Sequence, residues 1–312
     1  MSLLLTLWAC LGGASREPTT SLGALPQDFT PTVVEPDAGV IFGFGGGPFV
    51  AVPARTLAAW RLGETAASTG PEGPGWYVAA DGSTTELWAV IATAKADKSG
   101  SAYRLVVERE GRWEERGAIP ATSLTDLAVG EGGEGYAVGV GQLWRTADGG
   151  RSWSQLRGAP APGQVSEQLG LLGERLIVSG ARLMRSDDHG VTWRVQHDEP
   201  VLATDGEWVI TGQTGAARVG QLSGDAVLWR GSLPQGHRPA AIAGSPEGVR
   251  VLANKEGTSR LVVFTSRDGG MTFTQRRLSG VSDSAWVGLG DALWWVDVER
   301  RVQGTQATKA PQ

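Results

Sequence analysis

The chain has 312 residues and a net charge of −5, with 46 glycines and 13 tryptophans against only three methionines and three tyrosines. That length is ample for a large core, and the acidic balance leaves no basic footprint for nucleic acid. The single cysteine, Cys10, excludes an intrachain disulfide, and no amphipathic helix of three turns stands out, so glycine-dense turns between short aromatic-bearing strands predict an all-β fold.

Taken in order, residues 1–9 form an apolar run ending in a small residue and read as a signal peptide. Leu7-Trp8-Ala9-Cys10 resembles a bacterial lipobox, in which the cysteine is lipidated and becomes the new N-terminus. No Lys or Arg precedes the run, which is far too short to cross a bilayer as a helix. Residues 10–26 read as a flexible tether. The resemblance implies an exported protein of the cell envelope, lipid-anchored through Cys10. The alternative is a cleaved secretory signal without lipid, giving a secreted or periplasmic soluble protein.

Residues 28–36 read as one lone strand, followed by apolar runs at 40–44, 49–52 and 57–62. Further units of short strands then span 75–120, 122–160, 163–200, 201–236 and 237–279. The last unit, 281–306, shows only three strands, at 285–289, 292–296 and 301–304, and the lone strand around residues 30–34 is expected to supply its fourth. Within each unit the second strand is the most apolar, as strands covered on both faces should be. Residues 27–306 make 280 positions, or seven periods of 40, and 307–312 form a tail.

One motif sets that period. It occurs as Thr146-Ala147-Asp148-Gly149-Gly150-Arg151-Ser152-Trp153, as Ser186-Asp187-Asp188-His189-Gly190-Val191-Thr192-Trp193, and as Ser266-Arg267-Asp268-Gly269-Gly270-Met271-Thr272-Phe273. The acids are spaced by 188 − 148 = 40 and 268 − 188 = 80 residues, and such a fixed period marks a repeat architecture. Strand-like residues flank each copy, so each is a hairpin connection. Its Gly can take positive φ, its Asp can accept hydrogen bonds from its own turn, its Ser/Thr can close the loop, and its aromatic can plug the hairpin. The box has decayed at Trp113 and Trp229, where only the aromatic remains near its expected place.

On these residues the chain resembles the Asp-box (BNR) repeat proteins: sialidase-like, sortilin-like and photosystem-assembly-factor-like β-propellers. The resemblance implies a seven-bladed β-propeller of four-stranded antiparallel blades, or six blades if the first and last units merge. In those families the Asp-box joins the two outer strands of a blade, on the face opposite the ligand site.

Asp148, Asp188 and Asp268 could serve as catalytic or metal-binding acids, but a turn held by its own Asp is the better reading. His189, His197 and His237 show no ligand spacing, so neither metal nor cofactor is assigned. The run Gly43-Phe44-Gly45-Gly46-Gly47 precedes no helix that could carry a phosphate and reads as a tight turn. Sialidase-like catalysis needs an arginine triad, a Tyr/Glu pair, an Asp acid/base and a Phe/Tyr-Arg-Ile-Pro segment. The nearest string, Tyr103-Arg104-Leu105-Val106, lacks the Pro, and no catalytic residue carries over by motif.

The expected function is therefore an exported, non-catalytic binding or assembly scaffold, with a divergent sialidase-like glycoside hydrolase as the alternative. The partner is expected to be a protein or glycan on the face opposite the Asp-boxes, with membrane contact through the N-terminal lipid only. That face should carry the polar insertions at 94–102 (Lys95, Asp97, Lys98) and 254–260 (Lys255, Glu256), and the linkers 157–166 and 234–238.

Overall fold

Among the described residues, alternation of apolar and polar residues between glycine turns yields strands of two to nine residues and one short 3-10 turn. The structure is a computed structural model. It describes residues 19–305 apart from 28, 36–37, 46–55, 84, 158–167, 206, 213–216, 246–247, 259, 279–286, 290–292 and 298. Cys10, the proposed signal, the apolar run 49–52 and the tail lie outside the described residues.

The strands form seven four-stranded antiparallel sheets. Six are built from consecutive strands: blade 1 (30–69), blade 2 (76–119), blade 3 (126–155), blade 4 (168–197), blade 5 (201–232) and blade 6 (237–277). The seventh combines residues 287–305 with Thr19–Ala24. The first strand of each blade touches the first strand of the next, and that of blade 7 returns to that of blade 1. The molecule is a closed, seven-bladed β-propeller. Its first strands are innermost and its fourth strands outermost.

Burial follows this geometry. Second strands such as Gly135–Gly139 and Trp208–Thr211 are buried throughout, whereas the outermost strand Ala226–Ser232 alternates between exposed and half-buried residues. Among the described residues seven apolar clusters can be distinguished, one at each interface between blades. The core is thus a ring of seams, in keeping with second strands that are apolar on both sides.

Polar side chains on the inner strands tie each blade to the next. Asp81 of blade 2 accepts from the Val129 N–H of blade 3, and Asp126 of blade 3 accepts from the Leu169 N–H of blade 4 at 2.8 Å. Gln168 takes the Thr204 N–H at 3.2 Å, and Asp205 takes the Gly244 N–H. Each such bond satisfies a backbone donor that the inner edge of a blade would otherwise leave unpaired.

Ring closure corrects one expectation. The strand completing the last blade is Thr19–Ala24, within the segment read as a tether. Thr30–Glu35 is instead the innermost strand of blade 1, paired with Val40–Gly45. The closing strand pairs with Arg301–Thr305, from Thr19 opposite Thr305 to Ala24 opposite Arg301. Arg300 locks the junction by donating to the carbonyls of Pro26 and Phe29, and Leu25 and Phe29 are buried beside Trp60 and Trp294. A second correction concerns Gly43-Phe44-Gly45, which end a strand rather than forming a turn.

Candidate functional site

A propeller presents two faces, and the hydrogen bonds assign the loops to them. The turns around Asp148, Asp188 and Asp268 each join the third and fourth strands of a blade, in blades 3, 4 and 6. The Gly149 N–H donates to the Gly133 carbonyl in the loop between the first and second strands. Those two classes of loop share one face, called here the Asp-turn face. On the other face, the Glu256 N–H donates to the Gly236 carbonyl, joining a second-to-third-strand loop to a link between blades.

The three Asp turns are built alike. In the first, the Thr146 hydroxyl donates to Asp148 Oδ1 at 2.8 Å and accepts from the Gly150 N–H at 3.0 Å. The Ser152 N–H reaches Asp148 Oδ1 at 2.9 Å, and its hydroxyl reaches Oδ2 at 2.6 Å. Ser186, Asp188, Gly190 and Thr192 repeat the pattern, as do Ser266, Asp268, Gly270 and Thr272. Both oxygens of each carboxylate are engaged inside the turn. The aromatics that follow reach further than their own hairpins. Trp153 packs into the seam between blades 2 and 3, Trp193 into that between 3 and 4, and Phe273 into that between 5 and 6.

Hydrogen bonds from Ser152, Thr192 and Thr272 hold the pKa of Asp148, Asp188 and Asp268 down to about 2. Burial pushes Asp126 the other way, to about 7. The lowered acids contribute stability that is present above their unfolded value near 4 and lost as pH falls toward 2. Asp126 favours its neutral form in the folded state, so its contribution is fullest below pH 4 and is lost as pH rises through 7. Urea unfolding across pH should therefore show these four groups placing a maximum near pH 4 to 5. In Asp126→Asn, the decline between pH 4 and 7 should be smaller.

The sequence-derived candidates on the opposite face are exposed but dispersed. Lys95, Asp97 and Lys98 occupy a tight loop of blade 2, closed by the Lys95 N–H to the Gly100 carbonyl and by the Ser99 N–H to Asp97. Lys255 ends the second strand of blade 6, and Glu256 opens the corresponding loop. Blades 2 and 6 are three seams apart around the ring, so these loops form no single patch. Most of the linker 157–166 lies outside the described residues. In the linker 234–238, His237 is buried edge-on against Phe264.

A cluster that sequence reasoning missed bridges blades 3 and 4 on the Asp-turn face. Glu134 Oε1 accepts from the Tyr136 hydroxyl at 2.6 Å and from Arg145 at 2.9 Å, and His189 Nδ1 lies 2.8 Å away. Burial works to raise the Glu134 pKa, but hydrogen bonds from Tyr136 and Arg145 outweigh it and hold it below its ordinary value. Among the described residues no group of three or more His, Cys, Asp or Glu is arranged to hold a metal ion.

The sequence matches no protein-family model and no curated protein. Similar solved structures include YCF48 bound to D1 peptide, at 15% identity over 92% of this chain and 94% of that one, with a TM-score of 0.57. YCF48 from Cyanidioschyzon merolae gives 14% identity over 94% and 99%, with a TM-score of 0.55. A chain of a mitotic checkpoint complex gives 10% identity over 97% of each chain, with a TM-score of 0.57. At these identities the likeness is one of propeller fold.

Proposed function

We propose that this chain is an exported, non-catalytic binding or assembly scaffold built on an Asp-box propeller. The observation that carries the reading is the contrast between the faces. The Asp turns spend their polar groups on themselves, whereas Lys95, Lys98 and Lys255 stand exposed on the opposite face. The YCF48 and checkpoint-complex neighbours, one bound to a peptide and one part of a protein complex, support a protein partner.

Anchorage at Cys10 fits this arrangement. Thr19 pairs with Thr305 at the Asp-turn end of blade 7, so a chain segment preceding it leaves from that face. A lipid on Cys10 would turn the Asp-turn face toward the membrane and the lysine-bearing loops away from it.

The glycoside hydrolase alternative draws on the Tyr136–Glu134 pair. That pair sits on the Asp-turn face, and among the described residues one arginine, Arg145, bonds to it, where the sialidase-like arrangement needs three. A screen of fluorogenic glycosides, sialosides included, separates the readings. The scaffold reading expects no turnover above background. Saturable turnover that disappears in Glu134→Gln would overturn it.

A further inference from the structure

On the Asp-turn face, the seam between blades 1 and 2 is built differently from its neighbours. In blades 3, 4 and 6 the Asp turn leans on the preceding blade. A Cβ added at Gly150 would meet Leu105 of blade 2, one at Gly190 would meet Leu156 of blade 3, and one at Gly270 would meet Trp208 and Arg230 of blade 5. Blade 2 replaces this turn with the two-residue hairpin Glu110–Gly111, both residues left-handed at φ 52° and 76°.

Blade 5 makes the same replacement with Gly224 and Asp225, but there the gap is filled. Arg185 of blade 4 reaches across to the Gly224 carbonyl and to Asp225, and its side chain is only 8% exposed. Near the end of the third strand of blade 1, Arg61 pairs instead with Glu108, stays 26% exposed, and leaves the seam open. The result is a cavity of about 640 Å³ whose walls include Arg61, Leu62, Glu86, Leu87, Glu108 and Glu110. The fold thus has a way to close such a gap and does not use it here. The volume falls in the range of about 300 to 1,000 Å³ common for small-molecule sites.

The charges lining the cavity select a ligand. Arg61 is matched by Glu108, and Glu86 by Arg109, which donates to both its oxygens at 2.8 Å. Glu110 is exposed at the rim and makes no ion pair among the described residues. One negative charge is left over, beside the half-buried Leu62, while Leu87 is fully buried beneath the floor. We infer that this seam binds a small molecule with an amino or guanidino group on a short aliphatic chain. Its cation lies against Glu110 and its chain along Leu62, with Leu87 just beneath as a reporter. The proposal is independent of the partner face.

Agmatine is the probe, with benzoate as its opposite in charge, followed by methyl NMR of Leu62 and Leu87. Saturable shifts with agmatine, and a dissociation constant at least tenfold higher in Glu110→Gln, are expected. Because Glu110 is a rim residue, this variant should melt with the wild type. Leu62→Trp, which fills the cavity, should abolish the shifts. Absence of saturable shifts, an unchanged constant in Glu110→Gln, or preferential binding of benzoate would each overturn the proposal.

Discussion

A chain beginning at Gln27 is expected to unfold about 5 kcal/mol more easily than the full chain, since it loses two packed leucines and a ladder of backbone hydrogen bonds. Leu25 is buried and Leu22 packs against the seam between blades 7 and 1, close to Trp60 and Val302. The truncation also bares the edge of Arg301–Thr305, and an unpaired strand edge invites association with other chains. Urea unfolding and sedimentation velocity check both consequences. In a milder version, Arg300→Ala removes the donor to the Pro26 and Phe29 carbonyls and should cost about 2 kcal/mol. If the truncated chain were monomeric and as stable as the parent, Thr19–Ala24 could not be the closing strand.

The second large effect belongs to the Asp turn. Gly150 and Gly149 are adjacent and both left-handed, at φ 81° and 73°, yet their surroundings differ. A Cβ at Gly150 would lie 2.0 Å from Leu105 Cδ2, inside a seam where Leu105 is fully buried. One at Gly149 would find only the end of Arg151, at 3.8 Å. Gly150→Ala is therefore expected to cost about 3 kcal/mol, from backbone strain plus overpacking, and Gly149→Ala about 1 kcal/mol. The second turn already shows such tolerance, because His189 holds the place of Gly149 at φ 59°. Equal losses for the two variants, by denaturant unfolding, would mean that the turn does not lean on the blade before it.

Much of the fold was legible because a repeat states its period several times. The spacing of Asp148, Asp188 and Asp268 and the apolar second strands pointed to seven units, and seven sheets are present. The closing strand was misread for a physical reason. Thr19–Ala24 contains one large apolar residue, Leu22, and an outermost strand needs no more. Its stability comes from pairing with Arg301–Thr305, which its own composition does not announce. Thr30–Glu35 reads as a lone strand free to complete the last unit, which shows only three strands in the sequence, but it opens blade 1, where the bulge between Pro31 and Val33 accommodates the missing N–H.

The sites were harder to read. Glu134 and His189 stand 189 − 134 = 55 residues apart, in different blades. The cavity beside Glu110 arises from what blade 2 lacks. The aspartates on the inner strands left a fainter trace, with 126 − 81 = 45 and 205 − 126 = 79 lying near one and two periods. Those offsets could have flagged Asp81, Asp126 and Asp205 as a repeated structural device.

The face opposite the Asp turns is the proposed partner face. Site-specific photo-cross-linking in the native host tests this assignment most directly. A benzophenone residue is placed singly at Lys98 or Lys255 on one face, and at the exposed Val191 or Met271 in the Asp turns on the other. One discrete adduct is expected from Lys98 or Lys255, and none from Val191 or Met271. An adduct confined to Val191 and Met271 would contradict the assignment.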